Sequence, residues 1–280
     1  MSRRLILAIL YLTLAMILTV GGIWIYNDYQ SKKNMDSLRE AASTPEEDRG
    51  PEMTEIEKAR FSHLSGDHER PSLPEDTTDV VEETPEEREI LPRFRELYEQ
   101  NPDLAGWLTI PGTKVDYPVM YLPDDNDFYL KHNFEKEDDV NGMLVLDKRC
   151  AGDGSGINSL IHGHHMKSGA MFGSLKYYTQ KSYFEEHPVI TFSSLYEERN
   201  FEIFAVFRSS VYNEETSDFQ FFNYIDIEDE ASFDDYVKGA KEQSYYDTGV
   251  DAVWGDRLIT LSTCEYTKEN GRLVIVARSE

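Results

Sequence analysis

Two β-rich runs near the C-terminus constrain this chain more than any other feature: Leu258-Ile-Thr-Leu-Ser-Thr-Cys264 and Arg272-Leu-Val-Ile-Val-Ala277. The seven polar residues between them end in Asn270-Gly271, a dipeptide that favours the positive-φ positions of a tight turn. The pattern predicts an antiparallel hairpin. If the strands close just outside the loop, Cys264 and Arg272 face each other with Cβ atoms roughly 5 Å apart. A thiolate is the reactive form of cysteine, and a permanent cation beside the sulfur favours it. A free cysteine is also a small hydrophobe that suits a strand, so the hairpin alone leaves a reactive and a structural role both open.

The remainder of the chain divides by composition. Residues 1–30 hold about 22 mostly apolar positions, Leu5 to Tyr26, preceded by Arg3 and Arg4. At 1.5 Å per residue such a run is long enough for one membrane-spanning helix. The positive-inside rule then predicts a cytoplasmic N-terminus and an extracellular remainder, against a weaker opposing bias from Lys32 and Lys33. A cleaved signal peptide fits less well, because the apolar core is long and no A-x-A site follows it closely. Residues 31–89 are rich in Glu, Asp, Pro, Ser and Thr and are expected to form a disordered acidic stalk that cannot bury enough apolar surface to offset its ordering entropy.

Order is expected over residues 90–280. Ile90, Leu91, Phe94, Leu97 and Tyr98 recur at helical spacing up to Asn101-Pro102. Eight short strand-like runs follow, at 106–110, 115–121, 142–146, 159–162, 189–192, 201–207 and the two arms of the hairpin, which predicts a mainly β fold of barrel or sandwich type. A helix over Ile227 to Gln243 carries Phe233, Tyr236, Val237 and Ala240 on one stripe and should dock on the sheet. The formal net charge of −25, with no clustered basic surface, argues against nucleic-acid binding. Two cysteines, Cys150 and Cys264, make no disulfide framework and no C-x-x-C site.

The second chemical signal is Asn158-Ser-Leu-Ile-His-Gly-His-His-Met-Lys-Ser-Gly-Ala-Met-Phe-Gly173. Alternation along a strand places Asn158, Leu160 and His162 on one face, with His165 turned away from His164. Three histidines in four positions invite a metal reading, but no Asp or Glu stands in a familiar ligand spacing, so no metal and no cofactor is expected. Asp124, Asp125 and Asp127 read as a solvated loop. A histidine and a cysteine at two strand ends, with an arginine opposite the cysteine, supply an acid/base, a nucleophile and a stabiliser of negative charge.

At these residues the chain resembles the sortases, membrane-anchored transpeptidases of Gram-positive bacteria, and class B in particular. The resemblance rests on Thr260-Leu-Ser-Thr-Cys264, on Arg272 opening the next strand, on the run from His162 to Gly173, on Asn101 to Thr113, and on Asp125 to Leu130. It implies a closed eight-stranded sortase barrel with peripheral helices. It also implies Cys264 as nucleophile, His164 as general acid/base and Arg272 as the group that holds substrate or oxyanion. Asn126, Leu130, His162 and Ser262 match positions lining the groove for the sorting signal, although the family usually carries an aromatic where this chain has His162. The implied reaction cleaves a C-terminal sorting motif of a secreted protein through a thioacyl intermediate and transfers the protein to an amine of a peptidoglycan precursor or a pilin.

Two other readings compete on the residues alone. A papain-like peptidase or amidase places its cysteine first, at the start of a helix, with the histidine later; here His164 precedes Cys264, which ends a strand. A surface module that merely binds a partner would leave Cys264, His164 and Arg272 dispensable.

Overall fold

The computed structural model describes residues 3–43, 88–210, 219–225, 227–265 and 270–280. Eight strands close into one barrel: β1 (Leu104–Thr109), β2 (Asp116–Met120), β3 (Leu144–Leu146), β4 (Asn158–Gly163), β5 (Val189–Ser194), β6 (Glu198–Ser210), β7 (Arg257–Glu265) and β8 (Gly271–Ser279). Their order around the barrel is β1-β2-β3-β4-β7-β8-β6-β5, with β5 returning to pair with β1. Closure gives every described strand a neighbour on both sides.

Two pairings join strands running in the same direction. β2 lies parallel to β3, and β4 lies parallel to β7 in a ladder that runs from Asn158↔Leu258 to Gly163↔Thr263. A parallel pair needs a long crossover, here supplied by everything between β4 and β7. That crossover includes a 3₁₀ segment at Phe172–Thr179, helix α3 (Lys181–Glu186), strands β5 and β6, and helix α4 (Glu230–Gln243). Asp229 caps α4 by accepting from the Ser232 amide at 2.8 Å.

The predicted stripe of α4 is the buried one: Phe233, Tyr236, Val237 and Ala240 all face the barrel. Each large side chain among them contributes roughly 1.5–3 kcal/mol through burial. The Tyr236 hydroxyl lies 2.5 Å from Thr260 Oγ1, which donates to Asn158 Oδ1 at 2.9 Å. The same contact therefore docks α4 and ties β4 to β7.

Helix α2 (Pro92–Gln100) buries Phe94 and Leu97 and ends at Asn101, as the Asn-Pro pair predicts. The N-terminal region differs from expectation. One helix, α1 (Arg3–Ser43), covers the whole apolar run and continues through the first 13 residues of the expected stalk. Residues 31–43 are not disordered because they have an apolar face to bury: Leu38 is 6% exposed and packs with Ile90, Phe94, Leu97 and Trp107, with Ala41 and Ala42 alongside. The expected stalk from residue 44 to 87 lies outside the described residues. Among the described residues no helix is long and apolar enough to cross a membrane, and the side chains of residues 1–10 within the expected anchor are not described.

Candidate active site

The hairpin register is the predicted one. Cys264 of β7 pairs directly with Arg272 of β8, and Glu265 with Gly271. Both Cys264 and Arg272 are half-buried, and Arg272 Nη1 donates to the Gly271 carbonyl at 3.0 Å. On the other side of β7, the β4 ladder ends at Gly163↔Thr263. His164 is the next residue after that last pair, and the following His165 reaches the Cys264 carbonyl with Nδ1 at 3.0 Å. The candidate site is thus the common end of three adjacent strands: β4 leads into His164, β7 carries Cys264 and β8 carries Arg272.

Gly163 makes this strand end possible. A methyl group there would lie 2.5 Å from Leu144 Cδ2 and 2.7 Å from Phe172 Cδ2, so a larger residue would have to displace those side chains. Thr263 Oγ1 donates to the Gly163 carbonyl at 2.8 Å and fixes β4 to β7 immediately before His164 and Cys264.

The three histidines part company. His162 Nε2 bonds Asp147 Oδ2 at 2.9 Å, His164 Nε2 bonds the Leu130 carbonyl at 2.6 Å, and His165 Nδ1 bonds the Cys264 carbonyl at 3.0 Å. Three rings aimed at three separate acceptors do not converge on one point. Among the described residues no group of three or more His, Cys, Asp or Glu side chains is placed to hold a metal ion. A carbonyl can only accept, so Nε2 of His164 carries a hydrogen and Nδ1 is the nitrogen left to exchange a proton. His165, whose backbone bridges to Met171, sends its ring to the Cys264 carbonyl and not to the Leu130 carbonyl that His164 reaches.

Asp147 is a site residue that the sequence pattern did not reveal. It is 2% exposed just past β3, accepts from Arg149 Nε and Nη2 at 2.9 Å each and from the Arg149 amide at 3.1 Å, and is bonded by His162 as well. Burial alone would raise its pKa, but the Arg149 and His162 hydrogen bonds outweigh it and hold the carboxyl well below the usual aspartate range. Its neighbours Lys148 and Arg149 give Asp147 the look of an ordinary polar turn, and only the fold shows that it lies under His162.

The residues expected to line a groove occupy different settings. His162 and Ser262 are register partners on β4 and β7. Ser262 is 2% exposed, and its Oγ has no hydrogen-bond partner among the described residues. Leu130 is half-buried and contributes its carbonyl to His164. Asn126 turns its amide oxygen to the Lys148 amide at 2.6 Å. Cys150 is buried, with its sulfur 3.3 Å from the Leu160 amide, and is not disulfide-bonded.

Residues 108–280 match the family model of the sortase domain. The chain is 39% identical over 191 residues to sortase B of Listeria monocytogenes, covering 67% of this chain and 74% of that protein. It is 31% identical over 193 residues to sortase B of Staphylococcus aureus, covering 68% and 75%. The chain belongs to the class B sortases. The crystal structure of sortase B from B. anthracis in complex with AAEK1 superposes with a TM-score of 0.66 at 25% identity, covering 91% of this sortase and 98% of that chain. This sortase is therefore a cysteine transpeptidase built on the closed eight-stranded barrel, and the papain-like and purely binding alternatives fall away. Cys150 is buried against β4, with its sulfur at Asn158 and Leu160, whereas Cys264 is half-buried near the end of β7.

Proposed function

We propose that this sortase cleaves a C-terminal sorting motif of secreted proteins and transfers the cleaved protein to an amine at the cell surface. The observation that carries the proposal is the placing of His164, Cys264 and Arg272 on the adjacent ends of β4, β7 and β8. In this reading the Cys264 thiolate attacks the carbonyl carbon of the scissile peptide bond. Negative charge moves to the carbonyl oxygen, toward the Arg272 guanidinium, whose planar fork suits oxygen acceptors. The carbon–nitrogen bond breaks, and the proton on His164 passes to the departing amine.

A thioester on Cys264 remains. An acceptor amine then attacks it, gives its surplus proton to His164, and expels the thiolate, so that acid and base roles alternate within one ring. The acceptor is an amine of a peptidoglycan precursor or of a pilin. Asn126, Leu130, His162 and Ser262 are the residues we assign to the sorting-signal groove. Arg3 and Arg4 ahead of the apolar run support a single-pass anchor with a cytoplasmic N-terminus, which would hold the enzyme where secreted substrate and surface acceptor meet.

Incubating the full chain with a library of sorting peptides and measuring the mass of Cys264-containing fragments tests the reading. A peptide-sized thioester adduct on Cys264, lost on adding an amine, is expected. Turnover by Cys264→Ala would overturn it.

A further inference from the structure

We propose that the Leu130 carbonyl, kept in place by Gly142, selects the nitrogen of His164 that exchanges protons, which makes Gly142 a positioning residue for transpeptidation. The proposal rests on His164 being the acid/base. A proton carrier needs a defined tautomer, and catalytic histidines commonly have their second nitrogen held by an orienting acceptor. Here the contact to His164 Nε2 is a backbone oxygen at 2.6 Å. A carbonyl oxygen does two things at that position: it confines the neutral ring to the Nε2–H form, and it keeps accepting when Nδ1 is also protonated, so the cation formed during transfer is stabilised too.

A backbone acceptor has no side chain of its own to set its aim, so its neighbours must do it. The peptide carbonyls on either side of Leu130 are both committed: Tyr129 O accepts from the Met143 amide at 2.7 Å, and Lys131 O from the Asp139 amide at 2.8 Å. Tyr129 itself is fully buried, its hydroxyl donating to Asp103 Oδ2 at 2.7 Å and accepting from Asn101 Nδ2 at 2.8 Å. Gly142 closes the same turn with its amide 3.1 Å from the Asp139 carbonyl and φ of 57°. Its α-carbon lies against Leu130. A methyl group on Gly142 would stand 2.6 Å from the Leu130 carbonyl carbon and closer still to its oxygen. Glycine is therefore required twice, for the left-handed backbone and for the approach to the acceptor. Any side chain at 142 must push aside the group that holds His164.

The test is nitrogen NMR on the full chain in detergent, with ¹⁵N-labelled histidine and the His164 signals assigned by their loss in His164→Ala. Neutral His164 is expected as the Nε2–H tautomer. Gly142→Ala is expected to shift it toward a mixture and to lower kcat with a sorting peptide on the order of 10²-fold, the scale of a misplaced catalytic group, while KM changes little. If Gly142→Ala does not fold, an ester in place of the Leu130–Lys131 peptide bond, which weakens the same carbonyl without adding an atom, is expected to act in the same direction. A proton on Nδ1 in the wild-type protein overturns the proposal, as does unchanged kcat in the folded variant. Full activity in His164→Ala would instead sink the acid/base reading, and the nitrogen shifts would still decide which tautomer Leu130 selects.

Discussion

Cys264 and Arg272 are direct cross-strand partners, and the Arg272 guanidinium donates back along its own strand to the Gly271 carbonyl. A hydrogen bond to a neutral carbonyl is readily exchanged for one to a substrate oxygen. The stem of Arg272 is thus fixed by the ladder while its donors can be redirected. Charge and geometry then make separable demands on this side chain. Arg272→Lys keeps the charge and loses the fork. Acylation of Cys264 by a saturating sorting peptide should slow by roughly 10²–10³ in single turnover, as when an oxyanion donor is removed, while alkylation by iodoacetamide stays near normal. Equal loss in both would show that Arg272 acts mainly on thiol ionisation.

The histidines are distinguishable by what each one touches. His164→Ala should cost about 10²–10⁴ in kcat/KM, the range for general acid/base groups. His165→Ala removes a donor to the Cys264 carbonyl, so a smaller loss of about tenfold is expected, corresponding to about 1.4 kcal/mol. Steady-state kinetics with one peptide ranks the two; a larger loss at 165 than at 164 would move the acid/base role to His165.

Asp147 should make the fold sensitive to acid. Its folded-state pKa is depressed, so its contribution is complete above the ordinary aspartate value of about 4 and fades as pH falls below it. Asp147→Asn is expected to lose on the order of 1–3 kcal/mol at pH 7, the worth of hydrogen bonds to a charged group. The gap from wild type should shrink between pH 4 and pH 2. Urea melts of both proteins across that range measure it, and a gap that widens on acidification would contradict the sign. His162→Tyr, the residue more usual in the family, removes a partner from this carboxylate and should lower stability even where activity survives.

What was legible in the sequence follows from how local each signal is. All eight strands and the α4 stripe could be read because period-2 and period-3.6 patterns need only a few neighbouring residues. The Cys264–Arg272 pairing was readable for the same reason, since a short loop bounds the possible registers. The β4–β7 pairing was not: it joins residues about a hundred apart, and no local pattern in Asn158–Gly163 names Leu258–Thr263 as its parallel partner. Asp147 and the Leu130 carbonyl were hidden too, because each meets its histidine across a separation, 15 and 34 residues, that no local period spans. One acts through His162, 15 residues later, and the other through a backbone atom that leaves no trace in residue type. The docked end of α1 was missed because charged residues surround Leu38, and the overall composition of residues 31–89 masked its one apolar face.

That docked end supplies the last prediction. Besides burying Leu38, α1 sends Arg39 to the Asp116 carbonyl at 3.0 Å and to Asp116 Oδ2 at 3.2 Å, with its guanidinium 5.1 Å from the centre of the Tyr117 ring. Asp116 Oδ1 in turn accepts from Trp107 Nε1 at 2.7 Å, and the Tyr117 hydroxyl accepts from the Met171 amide at 3.1 Å. Met171 belongs to the turn that carries His164 and His165, so the helix supports the histidine turn through β2. A chain beginning at residue 86 should fold on the barrel core, yet melt below a chain beginning at residue 31. Losing the Leu38 contact alone is worth about 2 kcal/mol, and at 2–4 °C per kcal/mol for a domain of this size the difference should be roughly 4–8 °C. Leu38→Ala in the longer chain should reproduce most of it, whereas the exposed Arg39–Asp36 pair should contribute almost nothing when broken by Asp36→Ala. Thermal melts of the four proteins decide the matter: identical midpoints for the two truncations would mean that α1 lies on the barrel without stabilising it.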